Sequence, residues 1–69
     1  MIYTDFHNTD ELGRVRLNTI GSIEDLMVEG ITLCDGLCII ISDGELEANG
    51  IVRYSEEGWV VEVDWDAIV

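Results

Sequence analysis

The chain has 69 residues, with fifteen Asp and Glu against three Arg, and a formal net charge of −12. So short a chain fits one domain, residues 1–69, and leaves no room for a second. Direct binding to nucleic acid or to an anionic membrane surface is excluded, because both need clustered Lys or Arg. Hydrophobic residues make up 48% of the chain, so we expect it to fold despite its charge.

The first eleven residues are polar and predict a loosely held N-terminal arm, which contains the one histidine, His7. The arm has no basic stretch followed by an apolar run, so we do not expect a signal peptide. The longest apolar run, Leu37 to Ile41, is far shorter than the ~20 residues that a membrane-spanning helix needs. A cytoplasmic location is therefore expected.

A strand and then a helical turn are predicted after the arm. Val15 and Leu17 alternate with polar residues, as in a half-buried strand. The stretch SIEDLMVEG begins with Ser22, a potential N-cap, and ends at Gly30, a helix stop. We expect one short helical turn whose apolar side chains would close one end of a barrel. These side chains are those of Ile23, Leu26 and Met27.

The segment from Leu37 to Ile41 is apolar on both faces, because Cys38 and Ile40 lie opposite the other three residues. We predict that this strand is the most interior element and is covered on both sides. Burial of the arm through Ile2, Tyr3 and Phe6 would give a monomer. A second copy of the chain would instead give a twofold homodimer, the preferred alternative, in which residues 38 and 40 approach their symmetry copies.

Alternation continues from Leu46 through Ala48, Val52 and Tyr54, and Asn49-Gly50 interrupts it without inverting it. These two residues predict either a tight hairpin turn or a bend inside one long strand.

The last predicted strand places Trp59, Val61, Val63 and Trp65 on one face and Glu62 and Asp64 mainly on the other. We interpret both tryptophans as core residues, since a small core needs their apolar area. An exposed part of the same segment could hold a partner. The candidate partner-binding residues are Trp59, Trp65, Glu62, Asp64 and Asp66.

Glycines recur every six to nine residues, and no proline interrupts the predicted strands. This rhythm predicts a mainly β fold, a small SH3-like barrel of four to five antiparallel strands with one short helical turn. An open α+β meander is the alternative. The expected core is Val15, Leu17, Leu37, Ile39, Ile41, Val52, Val61 and Val63.

Residues that could carry chemistry do not form a catalytic or metal-binding pattern. Cys34 and Cys38 have neither redox nor zinc-knuckle spacing, and we expect them to be small buried hydrophobes. Asp43, Glu45 and Glu47 are spaced like the start of a calcium loop, but Ala48 stands where such a loop needs glycine. We predict no catalytic, cofactor-binding or metal-binding residue, and no cofactor.

Two stretches resemble a group of small acidic bacterial proteins. The first stretch, GRVRLNTIGSIEDL, is followed by GITLCDGL, and the second is WVVEVDWDAI. The resemblance spans Gly13 to Ile68 and implies a self-contained bacterial domain. No activity is assigned to that group, so the resemblance implies no site residues.

Composition and motifs together favour a non-catalytic interaction module that binds a basic segment of another protein. The alternative is an acidic mimic of nucleic acid that occupies a nucleic-acid-binding protein. Rows of carboxylates about 6 to 7 Å apart along strands would favour the mimic, and scattered carboxylates would favour the module. An enzyme is the third hypothesis, and we expect that the chain is not one.

Overall fold

The computed structural model describes residues 1–67, and the chain folds around one curled β-sheet. Ile68, the last position of the pattern that carries the bacterial resemblance, and Val69 lie outside the described residues. The elements are β1 (Ile2–Tyr3), β2 (Val15–Arg16), α1 (Ile20–Glu29), β3 (Cys38–Ser42), β4 (Glu47–Ser55), β5 (Gly58–Val63) and a 3₁₀ helix (Trp65–Ala67).

The strand order in the sheet is β1-β3-β4-β5-β2. Three of the four strand pairs are antiparallel, whereas β1 runs parallel to β3, with Ile2 opposite Ile41. The sheet curls into half of a barrel, so the predicted mainly β, SH3-like architecture with one short helix is confirmed. The central strand is β4, which corrects the prediction that the Leu37 to Ile41 segment is the most interior element.

The core lies on the concave side of the sheet and is the one predicted from the alternation. Val15, Leu17, Ile41, Val52 and Val61 are buried in one cluster. The other expected members, which are half-buried, pack against this cluster: Leu37, Ile39 and Val63. Ile2 and Ala48 complete the buried set.

Asn49 and Gly50 lie inside the nine-residue strand β4, so the hairpin alternative is wrong and one long strand forms instead. Gly50 pairs with Ile39 on one side and with Val63 on the other, and the register continues without a bulge. A side chain at position 50 would collide with the Cγ1 atom of Val61. Glycine is therefore required here by close packing rather than by a turn.

Helix α1 is longer than the predicted turn and begins earlier. The N-cap is Thr19, whose Oγ1 accepts a hydrogen bond from the Ser22 backbone N–H at 3.1 Å. The expected N-cap, Ser22, is instead buried in the first turn. Gly30 ends the helix in the left-handed conformation (φ 65°), as predicted.

The helix covers the open edge of β1 rather than closing a barrel end. The Tyr3 backbone N–H donates to Asp25 Oδ2 at 2.8 Å, and the Tyr3 carbonyl accepts from Ser22 Oγ at 2.6 Å. These bonds satisfy edge groups that would otherwise attract another strand. They also fix the rotation of α1, so that Leu26 packs against the core while Ile23 and Met27 are exposed. The predicted apolar plug is therefore wrong for Ile23 and Met27.

The start of the N-terminal segment forms the edge strand β1, in which Ile2 is buried and Tyr3 is exposed. It does not cover the outer face of β3, where Cys38 and Ile40 are exposed. Both cysteines are free and exposed, which corrects the expectation that they are buried. The homodimer stays a prediction.

Within residues 1–67, no helix is long and apolar enough to cross a membrane.

Candidate functional site

A groove with a volume of about 710 Å³ crosses β3, β4 and β5. Its lining combines core-facing residues at the end of the sheet, Ile39, Gly50 and Val63, with outward-facing ones. The outward-facing residues include Cys38, Ile40 and Ile51, which alternate with core-facing residues along β3 and β4. All three are exposed, in a position where a half-buried sheet would normally present polar side chains. We refer to this feature as the outer groove.

The strand register places carboxylates beside the apolar lining of the outer groove. Cys38 lies opposite Ile51, and Ile51 lies opposite Glu62 on the next strand. Just beyond β5, the Asp64 backbone N–H donates to the Asn49 carbonyl at 3.0 Å. This bond holds Asp64 at the same end of the groove as Glu62, and both residues line it.

The charge at this end of the outer groove is only partly balanced. Arg53 Nε lies 3.0 Å from Glu62 Oε1, and Arg53 Nη1 lies 3.2 Å from Asp35 Oδ2. The hydrogen bond to Glu62 and the charges of both acids raise the pKa of the Arg53 guanidinium above its ordinary value. Among residues 1–67, Asp64 and Asp66 form no ion pair. A cation on a bound partner could therefore approach these two carboxylates directly.

The remaining arginines are engaged elsewhere. Arg14 Nε pairs with Asp10 Oδ2 at 2.8 Å, and Arg16 Nη2 pairs with Glu57 Oε1 at 3.2 Å. Each of the three arginines is therefore neutralised by a carboxylate of the same chain. The Met1 amino group pairs with Glu29, and among residues 1–67 the other carboxylates form no ion pair.

The structure brings together only some of the predicted partner-binding residues. Glu62 and Asp64 line the outer groove, and Trp65 and Asp66 follow in the 3₁₀ helix. Trp59 lies four residues before Val63 on β5, about 13 Å away at the usual rise of a strand. It is half-buried and packs edge-on against Tyr54, with ring centroids 4.9 Å apart.

The second predicted core tryptophan, Trp65, lies outside the core. Strand β5 ends at Val63, so the alternation that would turn Trp65 inward stops before it. Its side chain is 45% exposed and meets the ring of Phe6 edge-on, with centroids 5.8 Å apart. Trp65 thus presents an exposed aromatic surface, in contact with Phe6, one residue after Asp64 of the groove, whereas Trp59 packs against the core.

Ile51 is the groove residue that sequence reasoning missed. In β4 it stands in the outward row between Asn49 and Arg53, where the other side chains are polar. An isoleucine in a polar row was the available signal. The period-two alternation was used to predict the buried, inward-facing row of β4, so the outward-facing row was not considered as a binding surface.

The acidic loop from Asp43 to Glu47, which has calcium-like spacing, has a structural role. Asp43 Oδ1 accepts hydrogen bonds from the backbone N–H groups of Leu46 at 2.8 Å and Glu45 at 2.9 Å. These bonds close the turn and lower the pKa of the Asp43 carboxyl. Since the pKa is lowered on folding, the ionised carboxyl favours the folded state above about pH 3.9, and this contribution is lost as the pH falls below that value.

Asp10 closes another turn in the same way. Burial opposes its ionisation, but hydrogen bonds from the backbone and guanidinium of Arg14 and from the Leu12 N–H outweigh that effect and lower its pKa. Both loop carboxylates are thus explained by turn formation.

Among residues 1–67, no group of three or more His, Cys, Asp and Glu side chains could hold a metal ion. Comparison with protein-family models, curated proteins and solved structures found no match to the chain. The resemblance to small acidic bacterial proteins stays a prediction.

The excess of carboxylates predicts a stability that depends on salt. We expect the thermal midpoint to rise by about 5 °C or more between ~0.01 M and ~1 M NaCl, because mutual repulsion of the carboxylates is screened. Circular dichroism at a series of salt concentrations measures this shift. The double variant Glu11→Gln/Glu56→Gln, which removes two negative charges, should respond less. A midpoint that does not change with salt would contradict the prediction.

Proposed function

We propose that this chain is a non-catalytic interaction module whose outer groove binds a basic, amphipathic segment of another protein. Aliphatic side chains of the partner lie against Ile40 and Ile51. Its Lys or Arg side chains lie beside Glu62, Asp64 and Asp66. The observation that carries the proposal is the exposed aliphatic lining of the groove directly beside carboxylates, on a protein with a net charge of −12.

Charge supports a basic partner over other occupants of the outer groove. Arg53 is already paired with Glu62 and Asp35, and the amino group of Met1, which lines the groove, is paired with Glu29. Among residues 1–67 the groove therefore offers an incoming anion no unpaired cation. An excess of carboxylates steers cationic segments toward the surface and increases their association rate. The exposed ring of Trp65, in contact with Phe6, follows Asp64 in the chain and offers a face for an arginine or lysine of the partner.

The alternative function, mimicry of nucleic acid, receives less support. It requires carboxylates repeated every ~6 to 7 Å along a strand. Within the five strands, only Glu47 and Glu62 are acidic, and they lie on different strands. The other carboxylates of the described residues lie in turns, in α1, in the N-terminal segment and around the 3₁₀ helix. This scattered arrangement favours the module.

The proposed location is the cytoplasm. Cys34 and Cys38 are both free thiols, which is the usual state of cysteines in a reducing compartment.

The proposal is tested with a short synthetic peptide of alternating leucine and lysine, whose affinity is measured by isothermal titration calorimetry. One control peptide replaces lysine with glutamate, and another replaces leucine with serine. We expect binding of the first peptide only. The affinity should fall with added salt, because the contact includes opposite charges.

Matched protein variants locate the binding surface. Asp64→Asn/Asp66→Asn should weaken peptide binding about tenfold, whereas Glu11→Gln/Glu56→Gln should weaken it less than about twofold. The two variants change the net charge equally, but Glu11 and Glu56 line a different cleft. Equal losses would mean that the peptide responds to overall charge, and the groove assignment would then be wrong. Ile40→Ser should also weaken binding, since it removes apolar contact area.

A further inference from the structure

Helix α1 exposes a row of large aliphatic side chains that nothing in the described chain covers. The exposed fractions are 77% for Ile20, 48% for Ile23, 77% for Met27 and 84% for Val28. A surface helix normally turns its apolar stripe toward the core and its polar side toward solvent. In α1 only Leu26 follows this arrangement and packs against the core, whereas buried Ser22 and the half-buried Asp25 face β1 and the other large aliphatic side chains are exposed.

The spacing of the exposed residues suits contact with another helix. Ile20, Ile23 and Met27 are separated by three and four positions, the a–d–a spacing of paired helices. We call these three residues the α1 seam. Val28 flanks it, and Tyr3 lies on the β1 side, where its ring is so close to the helix that a Cβ atom at Gly21 would lie 2.6 Å from it.

The α1 seam is also poor in charge. Glu24 is the one acidic residue on the exposed side of α1 between Ile20 and Val28. Glu29, at the end of the helix, pairs with the Met1 amino group at 3.0 Å. On a protein with a net charge of −12, this surface carries fewer carboxylates than the outer groove, and Glu24 is the main source of local repulsion that a second, equally acidic copy would meet. The outer groove differs, because Glu62 and Asp64 line it.

The exposed area is sufficient for a weak dimer. The four aliphatic side chains and Tyr3 expose on the order of 600 Å² per protomer, so a pair could bury at most roughly 1,200 Å², the lower end of the range for specific interfaces. Interfaces of that size bind in the micromolar range unless they contain strong individual anchors. Burial of the seam would also stabilise a chain too short to bury much of its own surface.

From these observations we infer that two copies of the chain pair through the α1 seam. The helices cross antiparallel about a twofold axis near Ile23, so that Ile20 of each copy packs on Met27 of the other. This pairing does not use the outer groove, which stays open to a basic partner in the dimer. It is therefore independent of the proposed function.

Added salt should have opposite effects on pairing through the α1 seam and on peptide binding in the outer groove. Pairing through the seam brings two acidic molecules together, so it should strengthen between ~0.1 M and ~1 M NaCl. Binding of the leucine–lysine peptide should weaken over the same range. Either activity can fail while the other persists, so the two proposals are tested separately.

Sedimentation equilibrium of the full chain over the micromolar range tests the dimer. We expect a reversible monomer–dimer equilibrium in the wild type and an association at least about tenfold weaker in Met27→Glu, which places a carboxylate in the seam. Leu12→Glu is the matched control, because Leu12 is equally exposed but lies in a turn away from the helix. It should dimerise as the wild type does.

A third variant, Ile40→Glu, distinguishes the seam from the outer face of β3. If the seam is the interface, Ile40→Glu should still dimerise. A wild type that stays monomeric at ~1 M NaCl would overturn the inference, as would Met27→Glu pairing with unchanged affinity or Ile40→Glu alone losing dimerisation. Circular dichroism verifies that each variant is folded. Met27→Gln, which adds no charge, should give an intermediate loss of association.

Discussion

Val61→Asp should leave the domain unfolded in dilute buffer at room temperature. Val61 is fully buried, with 0% exposure, and lies between Val15 on β2 and Val52 on β4. The substitution removes about 1.5 to 3 kcal/mol of apolar burial and buries a carboxylate without a partner, at a cost of several kcal/mol more. A chain of this length has a total stability of only about 3 to 10 kcal/mol.

The control for this experiment is Ile40→Asp. It makes a similar aliphatic-to-acid change on the same sheet, but at an exposed position on the outer face. Ile40→Asp should remain folded, with a thermal midpoint within a few degrees of the wild type. Circular dichroism and one-dimensional proton NMR report folding directly. A folded Val61→Asp domain, or equal losses in the two variants, would contradict the assignment of Val61 to the centre of the core.

The core could be predicted because period-two alternation indicates which side chains lie on the same face of a strand. In a small sheet, the apolar face must be buried. Val15, Ile41, Val52 and Val61 were found in this way, although they come from four different strands. No pairing information was needed, since burial is the largest favourable contribution to the folding of so short a chain.

The orientation of α1 could not be predicted from the same principle. Local hydrophobic spacing predicts that Ile23, Leu26 and Met27 face the core, but the contacts of Ser22 and Asp25 with Tyr3 fix the helix in another rotation. Tyr3 lies 22 residues before Asp25 in the chain, so no local pattern reports this contact. The exposed seam on α1 follows from that long-range contact.

The two tryptophans show that period-two alternation predicts burial only for residues within the strand. The prediction holds for Trp59, which precedes Val61 in the same strand and packs against the core. It fails for Trp65, because the strand ends at Val63 and a 3₁₀ helix changes the direction of the following side chains. In this candidate site, Glu62 and Asp64 were predicted from their position opposite the core face. The isoleucine in a polar row marks Ile51 in the sequence, but its position beside Glu62 depends on the pairing of β4 with β5.

Charge distinguishes the two exposed apolar surfaces of this domain. Each contains isoleucines that a monomer would leave in water, but the outer groove is bordered by Glu62 and Asp64, whereas the α1 seam is beside a single carboxylate, Glu24. Under the two proposals, opposite charge would attract a basic partner to the groove, and the lower charge of the seam would permit contact with an equally acidic copy. The high acidity would then select between partners as well as maintain solubility.

Gly50→Ala tests the close contact between β4 and β5 that determines the glycine in the middle of the central strand. The added Cβ would collide with Val61 Cγ1 and lie 3.1 Å from the Glu62 carbonyl oxygen. Because Gly50 is buried between Ile39 and Val63, the neighbouring strands cannot move away without breaking ladder hydrogen bonds. We expect a loss of about 1 to 3 kcal/mol in the free energy of unfolding, measured by urea denaturation.

A double-mutant cycle identifies the cause of that loss. Val61→Ala removes Cγ1 and should itself cost about 2 kcal/mol through lost burial and the cavity that it leaves. In that background the Cβ added by Gly50→Ala occupies the vacated space, so the second substitution should cost at least ~1 kcal/mol less than it does in the wild type. Additive losses would mean that Val61 is not the obstacle, and the contact with the Glu62 carbonyl would then explain the glycine. Asn49→Ala, at the exposed neighbouring position, should change the stability by less than ~0.5 kcal/mol in either background.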